Sequence, residues 1–136
     1  MKGVLLDRVT RANSYREYLA ELGYRPEVDG DGDIVFKHEG RTYCIILSEK
    51  DDTYFQLVYP NFWKIEGAEE RAKVILASVT ATADTKVAKV YPVNDNVWAC
   101  IEMFCATPEA VKPVFNRAIS ALAAGVGKFV DKMRSS

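Results

Sequence analysis

Three aspartates at alternate positions in "VDGDGDI", Asp29, Asp31 and Asp33, are the most chemically suggestive residues of the chain. Alternate carboxylates could begin a calcium loop, which needs oxygens at positions 1, 3 and 5, glycine at 6 and a bidentate glutamate at 12. Counted from Asp29, position 6 is Ile34 and position 12 is Gly40, with Glu39 one place short. The residues that follow read as a strand, and Gly and Asp supply the left-handed and turn-favouring conformations of a chain reversal. The expectation is an acidic hairpin turn, with weak calcium binding by Asp29, Asp31 and Asp33 left open.

Thiols and a single imidazole are the next candidates. A two-residue turn at Glu39-Gly40 pairs His38 with Arg41 and Cys44 with Val35. Alternation then sets His38 on the face of Phe36 and Tyr43, and Cys44 on the opposite face. Cys100 and Cys105 lie five apart on one strand and also diverge. Zinc asks for convergent ligands, and a nucleophilic cysteine asks for a helix N-terminus or a cationic setting. Neither pattern occurs. Glu69-Glu70 and Asp51-Asp52 read as solvated charge, and no glycine-rich phosphate loop, G-x-S-x-G elbow or H-E-x-x-H helix is present. No catalytic residue, metal ligand or cofactor is expected, and the chain reads as not an enzyme.

The elements that would position these groups are legible from period and punctuation. A first helix is expected from about Asn13 to Leu22, with Tyr15, Tyr18, Leu19 and Leu22 on one face and Gly23 as its stop. "YRPEV" resumes in extended form. "DIVFKH" and "TYCIIL" form a hairpin, and "YFQLVY" is a further strand ended by Pro60. Ala72, Ile75, Leu76, Val79 and Ala83 fall at helical spacing, so a second helix is expected from Ala68 to Ala81 or Ala83. "TKVAKVYPV" and "VWACIEMFCA" make a hairpin across Asn94-Asp95-Asn96. Thr107, Pro108 and Glu109 signal the start of a long C-terminal helix, with a kink at Pro113 and a middle loosened by Gly125 and Gly127. The order is helix, three or four strands, helix, two strands, helix. That order predicts an α+β fold with an antiparallel sheet.

Bulk properties narrow the class. The 136 residues are expected to form one domain, 1–136, around one core. With 49% hydrophobic and 27% charged residues the composition is that of a soluble globular protein. The net charge of −1 divides into 8 basic and 11 acidic residues over 1–53, and 10 and 8 over 54–136. Neither half offers the basic stripe that nucleic acid requires. No apolar run approaches a membrane span, and "MKGVLLDRV" meets Asp7 and Arg8 too early for a signal peptide, so a cytoplasmic location is expected. Three cysteines without an export signal read as small buried hydrophobes.

A surplus of aromatic surface remains. In "YFQLVYPNFW" five of ten residues are aromatic, and both faces of "VWACIEMFC" are mostly apolar. A sheet with one wet face should alternate apolar with polar. Tyr54, Phe55, Tyr59, Phe62, Trp63, Trp98 and Phe104 are therefore the candidate interaction surface, for a second copy of the chain or a peptide segment. A polypeptide could also add to an exposed strand edge.

"YLAELGYRPEVDGDGDIVFKHEGRTYCIIL", followed by "YPNFW" and "VWACIEMF", resembles the YbjN-like proteins, candidate bacterial sensory transduction regulators. The helix–strand order also resembles the type III secretion chaperone fold. The resemblance spans about residues 13–134 and names no catalytic residue. It implies an α+β homodimer without enzymatic activity that could hold a protein segment on its sheet and helix surfaces. The expected function is a non-catalytic protein-binding or regulatory domain in bacterial signalling or stress response, dimerising through the C-terminal helix or the Trp98 face. The alternative is a small-molecule or metal-binding sensor.

Overall fold

The computed structural model describes residues 7–135. The leader reading above concerns mostly residues 1–6, which lie outside the described residues. Among the described residues no helix is long and apolar enough to cross a membrane.

In chain order the elements are α1 (Arg8–Glu21), β1 (Glu27–Val28), β2 (Ile34–His38), β3 (Arg41–Ile45), β4 (Tyr54–Lys64), α2 (Ala68–Asp84), β5 (Ala88–Val93), β6 (Asn96–Phe104), a 3₁₀ segment (Pro108–Val114) and α3 (Phe115–Arg134). The strands form a six-stranded sheet in the order β1-β2-β3-β4-β6-β5. The β1–β2, β2–β3 and β5–β6 pairs are antiparallel. The fold is α+β, as the element order predicts.

Contacts group the chain into two compact units, one of residues up to Leu57 with Glu102–Phe115, the other of Val58–Ile101 with Asn116–Ser136. In the first, α1 begins six residues earlier than the Asn13 cap implies. Asp7 is the cap instead, its carboxylate accepting the Thr10 N–H at 2.8 Å. Gly23, at φ 99°, ends the helix as expected, and the Tyr24 N–H closes back on the Leu19 carbonyl at 2.9 Å. The Glu39-Gly40 turn has φ of 51° and 79°, the signature of a type I′ hairpin, and sets Val35 against Cys44 and His38 against Arg41. Tyr15, Phe36, Tyr43, Phe55 and Phe115 fill the core of this unit at full burial. Phe115 touches the rings of Tyr18, Tyr24, Phe36 and Phe55.

In the second unit β4 does not end at Pro60 but runs on to Lys64. A proline removes one N–H, not the extended path, and Asn61 behind it takes a left-handed φ of 52° that absorbs the break. Strict alternation lapses there, and Phe62 and Trp63, adjacent in sequence, both meet Phe129 edge-on at 5.4 and 5.5 Å. Here β4 and β6 run antiparallel: Trp98 donates its indole N–H to Asn61 at 2.9 Å, and the Ile65 N–H reaches the Asp95 carbonyl at 2.8 Å.

The expected long C-terminal helix starts later than its cap signal. Residues Pro108–Val114 are 3₁₀ and the α-helix begins at Phe115, because Pro113 lacks the N–H and its ring blocks the preceding turn. Gly125 is not a loosening residue. A Cβ there would sit 3.1 Å from the Cβ of Ala88, so the glycine lets α3 approach β5 closely.

Candidate functional site

The acidic turn is built from its own hydrogen bonds. One Asp29 carboxylate oxygen accepts the N–H groups of Asp31 and Asp33 at 2.9 and 3.0 Å, and the Asp29 N–H reaches the Asp33 carbonyl at 2.9 Å. Gly32 supplies a φ of 85°. The Asp33 carboxylate accepts the Leu47 N–H and the Arg8 guanidinium, both at 2.9 Å. The turn thus closes the β1–β2 hairpin and ties it to α1.

Folding also brings in a group that the sequence left apart. Ligand atoms of Asp29, Asp33 and Cys44, all half-buried, lie within 4.8 Å of one another. The local field opposes an activated thiol. Burial first, then the charges of Asp33, Asp29 and Asp31, push the Cys44 thiol up to about 12. A soft cation would have to displace that proton and compete with Arg8 for Asp33. Burial also raises the thiols of Cys100 and Cys105. Tyr91 donates to Cys100 at 3.6 Å, and the Tyr15 hydroxyl lies 4.0 Å from the Cys105 sulfur. His38 rests against Tyr24 and Tyr43, with ring centroids 5.4 and 6.4 Å away, on the face opposite Cys44 as alternation predicts. Burial keeps all three thiols protonated, and the carboxylates beside Cys44 raise its pKa further.

The seven candidate surface aromatics have different fates. Phe55 is completely buried, between Tyr15 and Phe115, and belongs to the core. Tyr54 is half-buried and its hydroxyl donates a hydrogen bond to the Glu102 carboxylate. Tyr59 and Phe62 stack at 5.3 Å with planes 6° apart, while Phe62 and Trp63 also cover Phe129. Trp98 is registered with Tyr91 on β5, and both are half-buried. Phe104 is 82% exposed.

The largest departure from the sequence reading is on α2. The periodic set Ala72, Ile75, Leu76, Val79 and Ala83 predicts the helix, and an apolar face at that spacing is ordinarily the one turned to the core. The helix instead buries Val74, Ala77, Ser78 and Ala81. Ile75, Leu76 and Val79 remain 50, 57 and 61% exposed, and Ala72 and Ala83 are exposed with them. The helix is apolar on two sides, and small Ala and Ser side chains let that narrow face seat closely. The clue in the sequence was the near absence of charge: from Ala72 to Ala83 only Lys73 is ionised. An uncharged circumference predicts two covered faces, one of which the described residues leave exposed.

Beside this stripe lies a groove of about 400 Å³, lined by Ile75, Ser78, Val79, Thr82, Ala83, Val90, Tyr91 and Pro92. Its floor is the outer margin of the edge strand β5, whose outward N–H groups are engaged or absent. The Thr82 hydroxyl accepts the Val90 N–H at 3.0 Å and donates to the Val90 carbonyl at 3.3 Å. Alternation makes 88, 90 and 92 the outward positions. The Ala88 N–H is taken by the Lys86 carbonyl at 2.7 Å, and Pro92 has none. Strand addition at the β5 edge would find no free N–H donor at positions 88, 90 and 92. The opposite edge, β1, is two residues long and follows Pro26. What the α2–β5 region offers is apolar side-chain surface.

No protein-family model matches the chain, and no curated protein matches it in sequence. In structure it is similar to the crystal structure of YbjN from E. coli, a candidate transcription regulator, with a TM-score of 0.62, covering 88% of this chain and 92% of that one. The fold is YbjN-like. Identity over the YbjN-like match is 12%, so the likeness is one of fold, and the activity of the chain must be argued from its own surfaces.

Proposed function

We propose that the chain is a non-catalytic, protein-binding regulatory domain, chaperone-like in holding a polypeptide on an apolar surface. The observation that carries this reading is the exposed stripe Ile75–Leu76–Val79 of α2 beside the groove floored by β5. Contiguous exposed aliphatic surface next to a groove is the common signature of a polypeptide docking site. The raised thiols and the separation of His38 from Cys44 support a role without bond-making chemistry. Similarity to a candidate transcription regulator is consistent with regulation, in bacterial signalling or a stress response. Three free cysteines suit a reducing compartment and support a cytoplasmic setting.

A pull-down from the native organism's lysate, followed by titration of the purified partner, tests the reading. Leu76→Glu is expected to weaken a specific partner at least about tenfold while Phe104→Ser leaves it unchanged, because charge is costly in an apolar contact. A partner held equally by both folded variants would place the docking surface elsewhere.

A further inference from the structure

We propose that the margin of β2 left open beyond β1 is a binding site for a small acylated amino acid with a free carboxylate. The site is on a different part of the chain from α2 and is independent of the docking reading above. Along an antiparallel strand the main-chain groups turn alternately to one neighbour and the other. The two-residue turn makes His38 and Arg41 a bonded pair, so Phe36 and Ile34 also turn to β3. Val35 and Lys37 therefore turn the other way. Val35 meets Glu27 on β1, but β1 starts at Glu27, and residues 23–26 before it form no strand. Lys37 is left without a counterpart. Among the described residues neither its N–H nor its carbonyl has a main-chain partner across that margin.

A cavity of about 550 Å³ occupies this stretch, with Tyr24 and Arg25 on one side and Val35, Lys37 and Thr42 on the other. That volume is in the range of small-molecule sites. Its lining holds two cations, Arg25 and Lys37, against one acid, Glu27, and among the described residues neither cation is in an ion pair. The charge selects an anion, and a guanidinium fork suits a carboxylate. The open main-chain pair selects the rest. One residue with an N–H for the Lys37 carbonyl and an oxygen for the Lys37 N–H fills the empty ladder position. An acylated amino acid offers both, and its oxygen belongs to the carboxylate that the cations attract. Half-buried Tyr24 and Val35 provide apolar wall for its side chain. Glu27, paired with Val35, closes one end of the slot, so it holds a single residue and not a passing strand.

Amide NMR on the isotope-labelled full chain, titrated with N-acetyl-L-leucine, tests the proposal. Shifts are expected at Arg25, Lys37 and Thr42, with a dissociation constant of about 0.1–1 mM for so small a ligand. N-acetyl-L-leucinamide, which has no charge, should bind at least about tenfold more weakly. Isocaproate keeps the carboxylate without the amide N–H and should bind several-fold more weakly. Arg25→Glu and Lys37→Glu should each weaken binding at least about fivefold, with the remaining amide spectrum unchanged, while Lys37→Arg retains it. Hydrogen exchange at the Lys37 N–H should be fast in the free chain and slow in the complex. Leu76→Glu should bind the ligand as the wild type does, which keeps this site separate from the α2 reading. No shift at about 10 mM ligand, equal binding of the acid and its amide, or a Lys37 N–H already protected in the free chain overturns the proposal.

Discussion

Cys44 is held as a neutral thiol by burial and by three aspartate charges, and this sets its reactivity. Its acidity is displaced from an ordinary value of 9.0 to about 12. Iodoacetamide should therefore label it slowly at pH 7.5, with a rate that climbs only above about pH 10, because the thiolate is the nucleophile. The linked effect on stability has a definite sign. The folded state keeps its proton at pH values where the unfolded chain has lost it. The stabilisation is complete below about pH 9 and fades as pH rises from 9 towards 12. Urea midpoints for wild type and Cys44→Ala measured at pH 7 and pH 10 check this. The gap should shift against wild type at the higher pH.

At the scale of elements, α2 protects the sheet margin through a single hydroxyl. Thr82 satisfies both main-chain groups of Val90, so Thr82→Val keeps the shape of the side chain and removes the partner. A loss of about 1–3 kcal/mol is expected from the stranded amide. Hydrogen exchange at Val90 should rise selectively. Unchanged exchange there would show that the edge is protected some other way. The same comparison explains what period could and could not reveal. The helix, its start at Ala68 and its length were written in the spacing of Ile75, Leu76 and Val79, but its orientation was not. Orientation depends on which face lets α2 seat closely, and the narrow Ala77–Ser78–Ala81 face does so while the wider aliphatic one does not.

For the molecule as a whole, two substitutions of apolar side chains should separate core from docking surface. Phe55→Ala empties a fully buried ring site and should cost about 3–5 kcal/mol. Leu76→Glu, on the exposed face, should change the unfolding free energy of the monomer by no more than about 0.5 kcal/mol. Chemical denaturation at concentrations low enough to exclude association provides the comparison. Leu76→Glu as costly as Phe55→Ala would mean that α2 is seated the other way round.

Local chemistry in the sequence determined the α+β class, the Glu39-Gly40 hairpin with its register, the stop at Gly23 and the turn character of Asp29–Asp33. Each depends on a few adjacent residues whose conformational preferences agree. Tertiary structure alone decided that Phe55 is core, that Cys44 joins Asp29 and Asp33, that Gly125 is a point of close approach, and that α2 turns its larger aliphatic side chains outward. Those outcomes depend on which surfaces meet, and shape complementarity between distant segments is not encoded in the spacing of either one.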